Sequence, residues 1–130
     1  MPNNDFHIQS SSNTLFLKYD KNWAIDGYKN RFGESLIGYA KALKVSQWAA
    51  IDDISNWPVK LPEEMDMCSD IATTLVDLGF RHCAVCGHEY AISKWMMEKV
   101  LPKEVEIAFF NTLQESKDWL NGLGYETNFD

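Results

Sequence analysis

Apolar residues recur along this chain with two different periods, and the changes of period mark out its elements. Residues 6–9 and 14–19 are short β-prone runs. They are separated by Ser10, Ser11, Ser12 and Asn13, residue types that favour a turn, so the pattern predicts a hairpin. From residue 25 to 43 the period lengthens: Ile25, Tyr28, Phe32, Leu36, Tyr39, Ala40 and Leu43 fall three and four apart. That spacing is one face of an amphipathic helix, weakened by Gly27, Gly33 and Gly38. Residues 45–53, VSQWAAIDD, form a strand with a mostly apolar middle, and NWPVKLP follows as a loop broken by Pro58. Pro62 suits a first helical position. Glu63, Glu64 and Asp66 then place negative charge at the positive end of the helix dipole. Met65, Cys68, Ile71, Ala72, Leu75 and Val76 make that helix's apolar stripe, and Gly79 suits its C-terminal cap.

Residues 80–86 are the next strand, 91–101 a helix stopped by Pro102, and 105–110 a last strand. Thr112 and Glu115 stand in the T-x-x-E spacing of a capping box. They open a final helix with Leu113, Trp119, Leu120 and Leu123 for packing, and the tail GYETNFD is expected to fray. Strands alternating with helices call for an α/β domain built on a mainly parallel sheet. The opening hairpin adds an antiparallel edge, and four helices complete the layers. No repeat, low-complexity run or linker divides residues 1–130, so a single domain is expected.

Composition narrows the function classes. The chain is 45% apolar with 17 aromatic residues (7 Phe, 5 Tyr, 5 Trp), enough for a core and unlike a disordered chain. Its formal net charge is −7 with the acids scattered, which argues against nucleic acid and anionic membrane surfaces. No stretch approaches a membrane span, and MPNNDFHIQSSS lacks the basic and apolar regions of a leader. A cytoplasmic setting is therefore the expectation. Three cysteines, an odd number, do not make a secreted disulfide framework.

The most chemically suggestive stretch is RHCAVCGHEY, residues 81–90. A structural zinc site needs four ligands, and the single C-x-x-C here lacks a second pair. On a strand Cys83 shares a side with Arg81 and Val85, whereas His82, Ala84 and Cys86 face the other way, so the two sulfurs point apart. A buried strand in which cysteine acts as a small hydrophobe is favoured over redox thiols or a metal knuckle. No metal and no cofactor are expected.

His88 falls beyond the predicted strand, where ligands of open parallel sheets gather. The other strand ends supply Asp20, Asn22 and Trp23, then Asp52, Asp53 and Ser55, then Asn111. A candidate ligand-binding rim therefore comprises Trp23, Asp52, Asp53, Ser55, Trp57, His88 and Asn111, with no catalytic residue assigned. The plainer reading is that each polar residue caps a helix or ends a turn. Among the tryptophans, Trp95 and Trp119 are predicted to pack in the core, while Trp23 and Trp57 lie in loops. Lys44, Arg81 and Lys103, at the opposite edge, are spaced as solvated loop charges.

Taken together, the hairpin, the long helix after Asn22-Trp23, the AIDDIS strand end and the late FFNTLQESKDWL resemble the STAS or SpoIIAA-like superfamily. The similarity is nearest to a small bacterial branch whose domain closes with a strand running into a helix ending in WL. Founding members are anti-sigma-factor antagonists with a phosphorylatable serine at the start of the helix after the D-[LI]-S strand. Asp53-Ile54-Ser55 matches that strand end, which sets the switch position at Pro62 and Glu63, neither phosphorylatable. Ser55 lies upstream of it and Ser69 well inside the helix. The resemblance thus implies a non-catalytic domain that binds a protein or small-molecule partner without the phosphoserine switch, and leaves a homodimer open. Two alternatives stand beside it: a carrier of a small apolar molecule or lipid, and an enzyme such as a hydrolase using the rim around His88 and the Asp52–Asp53 pair.

Overall fold

The computed structural model describes residues 6–20, 32–56, 62–87 and 91–129. The described elements run β1 (Phe6–Ser10), β2 (Thr14–Tyr19), α1 (Glu34–Leu43), β3 (Trp48–Asp53), α2 (Pro62–Asp77), β4 (Phe80–Cys86), α3 (Ala91–Val100), β5 (Glu106–Phe110) and α4 (Leu113–Gly122). The predicted α/β class and element order are therefore present.

The five strands lie in the sheet in chain order, β1-β2-β3-β4-β5. β1 and β2 are antiparallel, and every later neighbour is parallel. A parallel crossover is right-handed, so crossovers that step steadily in one direction put their helices on one face. The packing follows that rule. Leu36 and Ala40 of α1, Cys68, Ile71 and Leu75 of α2, and Met96, Met97 and Val100 of α3 share one core with Leu15, Leu17, Trp48, Cys83 and Val85. α4 comes after the last strand and covers the opposite face, where Leu120 packs with Ala49, Ile51, Ala84 and Cys86. β3 is thus covered on both sides, which explains its unbroken apolar run in place of an alternation.

The turn between α2 and β4 is tightly made. Gly79 adopts φ +108°, and a Cβ there would stand 2.6 Å from the carbonyl oxygen of Ser46. Arg81 donates from Nη1 to the carbonyls of Val76 and Phe80, both at 2.8 Å, so it serves the C-terminal end of α2 and is no solvated loop charge. Beside it Trp48 stacks on Phe80 at 4.8 Å and donates its indole N–H to the Leu78 carbonyl at 3.0 Å.

Two expectations are corrected. The helix expected over residues 25–43 is present as α1 from Glu34, and residues 25–31 lie outside the described residues. Tyr39, placed on a buried face by the three-and-four spacing, and Trp95, expected to pack in the core, are 40% and 48% exposed, whereas Trp119 packs as expected. The tail does not fray through residue 129. Tyr125 is 7% and Thr127 4% exposed, Phe129 stacks on Phe16, and the hydroxyl of Ser11 donates to the Glu126 carbonyl.

Candidate functional site

The C-terminal strand ends meet at one edge because the parallel strands keep register: Asp53 pairs with Cys86, and Cys86 with Phe110. At β3 the chain turns immediately. The Asp53 carboxylate accepts from the Ser55 backbone N–H at 3.0 Å and from the Ser55 hydroxyl at 2.5 Å. That local bonding is the ordinary habit of an Asp two residues before a serine. The Ile54 N–H donates to the Cys86 carbonyl at 2.9 Å, which ties the turn to the end of β4. Gly87 then passes beneath it at φ +79°. A Cβ on Gly87 would lie 2.2 Å from Ser55 Oγ and 2.7 Å from Asp53 Oδ1, so only glycine fits. Asn56, not singled out from the sequence, donates from its side-chain amide to the Tyr19 carbonyl at 2.9 Å and fastens the end of β2 to this loop.

Asn111 follows β5 at the same edge. Two strand spacings separate it from the Asp53–Ser55 turn, roughly 10 Å. Its N–H and that of Thr112 donate to Glu115 Oε1 at 3.0 and 3.2 Å, and Thr112 Oγ1 accepts from the Glu115 N–H at 3.1 Å. The capping box expected from the sequence is thus formed, with Asn111 at its entrance.

Asp52 is a different case. Strand alternation turns it away from Asp53, and at 7% exposure it lines a cavity of about 60 Å³ beneath α1, α2 and α3. The two adjacent aspartates therefore do not form a pair, and Asp52 is not part of the exposed rim. The cavity is otherwise walled by apolar groups such as Leu17, Trp48, Cys68, Phe80 and Met97. Its volume is far below the ~300–1,000 Å³ of typical ligand pockets. Trp23, Trp57 and His88 lie outside the described residues, so of the candidate rim the structure brings together Asp53 and Ser55, with Asn111 farther along the edge.

The cysteines sit as strand alternation requires. Cys83 packs with the three-helix core and Cys86 with the α4 core, both buried. Burial pushes the Cys83 thiol well up, and the negative charge of Asp52 adds to it. Cys86 is pushed up to about 11 by burial and then by Asp53, partly opposed by a hydrogen bond from Ser116. Both are held as thiols rather than nucleophilic thiolates at neutral pH.

Against known structures, the chain superposes on a serine-to-glutamate variant of RsbS from Moorella thermoacetica with a TM-score of 0.64 and 19% identity. The match covers 91% of this chain and 96% of that one, and RsbS is a STAS-domain protein. The fold is STAS/SpoIIAA-like. No protein-family model and no curated protein matches the sequence. In this STAS-like domain the start of α2 carries Pro62 and Glu63, Glu63 is exposed, and Ser69 donates its hydroxyl to the Val100 carbonyl at 3.1 Å. No helix of the described residues is long and apolar enough to cross a membrane.

Proposed function

We propose that this STAS-like domain is a non-catalytic binding module that engages a partner, a protein in the first place, through the loops at the C-terminal strand ends. It does so without a phosphoserine switch. The observation that carries the reading is the built turn of Asp53, Ser55 and Gly87, which holds an acidic and a hydroxyl side chain at the edge where the loop leads on to α2. The likeness of fold to RsbS supports a protein partner. Glu63 supplies a permanent negative charge near the helix start, where a switched member of the superfamily would gain one. His88, Trp23 and Trp57 complete the proposed rim from sequence position alone. The separation of Asp52 from Asp53 weighs against the hydrolase alternative, and the small cavity against a lipid carrier.

The test begins with native mass spectrometry of gently purified protein to find what accompanies it. A titration of isotope-labelled domain with that species follows. The expected shifts map to Asp53–Ser55, Gly87 and Asn111, and His88→Ala weakens binding with little change in melting temperature. Shifts confined to the opposite edge, around Lys44 and Lys103, refute the reading.

A further inference from the structure

We propose that the outer edge of β1 docks a second copy of this chain, joining two five-stranded sheets across a two-fold axis at Ile8. The inference is independent of the strand-end rim. Among the described residues β1 pairs only with β2, and no described residue takes the backbone N–H and C=O groups on its other side. Edge strands are ordinarily blunted by lysine, proline or a bulge, and Phe6–Ser10, FHIQS, carries none of these. An open groove of about 740 Å³ runs along the strand, walled by Phe6, Ile8, Phe16 and the 40%-exposed Tyr39 of α1.

Charge selects the occupant. Two chains of net charge −7 repel over most of their surfaces, and α2 exposes Glu63, Asp66, Asp70 and Asp77. The β1 groove is balanced by contrast. Lys18 offsets Asp20, and Asp20 accepts from or pairs with His7 Nε2 at 3.1 Å. Two copies can therefore meet here without opposing acids.

The strand is also self-complementary. Antiparallel pairing about Ile8 sets Phe6 opposite the partner's Ser10 and Ile8 opposite the partner's Ile8 on the three-helix face. On the α4 face it sets His7 opposite the partner's Gln9. All five residues pair and no like charges oppose. A shift of two residues toward the N-terminus loses two of the five pairs and sets His7 against the partner's His7. One strand pair with flanking Tyr39 is a small interface, so the dimer belongs to the weak class of less than about 1,200 Å².

Sedimentation velocity of the intact chain from micromolar to about 1 mM concentration, with amide exchange on the same samples, tests this. The expected result is a concentration-dependent dimer with protection rising in β1 as it forms. Ile8→Lys, which puts two like charges face to face, should weaken the dimer roughly tenfold or more while leaving the circular dichroism unchanged. Should Ile8→Lys fail to fold, the wild-type exchange pattern decides alone. A monomer throughout overturns the proposal, as does a dimer whose added protection falls on β5. Protection of β1 that does not vary with concentration overturns it too, because the edge is then covered from within the same chain.

Discussion

Replacing Tyr125 by alanine is the sharpest test of how this domain closes. The ring is 7% exposed and belongs to the α4-side core with Leu120, Ala84 and Cys86. Its hydroxyl receives a hydrogen bond from Gln47 Nε2 at 2.9 Å and lies 2.7 Å from His82 Nδ1. An aromatic side chain buries about 200 Å², which at ~25 cal/mol per Å² sets an upper value of about 5 kcal/mol. Buried aromatic truncations cost about 3–5 kcal/mol, and the irregular segment after α4 can partly collapse, so about 3–4 kcal/mol is expected. For a domain of this size that lowers the melting temperature by roughly 10–20 °C. Tyr125→Phe keeps the ring and leaves Gln47 and His82 without their hydroxyl partner, a loss of about 1 kcal/mol. Urea titrations of wild type and both variants separate burial from hydrogen bonding. If Tyr125→Ala unfolds within about 0.5 kcal/mol of wild type, a margin usual for surface positions, the tail is frayed as its sequence suggests and the closure argument fails.

Other expected outcomes concern separate parts of the molecule. Gly87→Ala should destabilise by at least about 2 kcal/mol through its left-handed backbone and the collision with Ser55. Gly122→Ala, with nothing within 4 Å of the added carbon, should be neutral or stabilising; equal melting curves for the two would refute the distinction. The Cys86 thiol titrates near 9.0 when unfolded and at about 11 when folded, so between those values the unfolded chain binds fewer protons. Its contribution to stability is complete below pH 9 and is lost as the pH rises toward 11, a loss that urea titrations should show flattened in Cys86→Ala. Trp95→Ala should change stability by less than about 0.5 kcal/mol, and iodide should quench Trp95 readily; a large loss would mean the side chain is packed.

Much of the architecture was legible along the chain because it rests on local interactions. Periodicity, apolar runs and turn residues marked out the order of strands and helices, the Thr112–Glu115 spacing announced a cap made within four residues, and strand alternation set Cys83 and Cys86 on opposite faces. The same alternation separates Asp52 from Asp53, although their adjacency suggested a joint site. That part of the candidate rim was decidable without coordinates. Other features required the assembled sheet. A three-and-four pattern marks an apolar stripe without saying how wide the neighbouring layer is, so Tyr39 could pass for a core residue until the helices were placed, and so could Trp95 as a large apolar residue on a helix. The tail's polar composition reads as loose chain, yet Tyr125, Thr127 and Phe129 find partners at Gln47, His82, Asn121 and Phe16. Most of these partners lie far away in sequence. Local propensity records the backbone's own preference, while a terminal segment is ordered by the apolar surface and hydrogen-bonding groups that distant strands bring beside it.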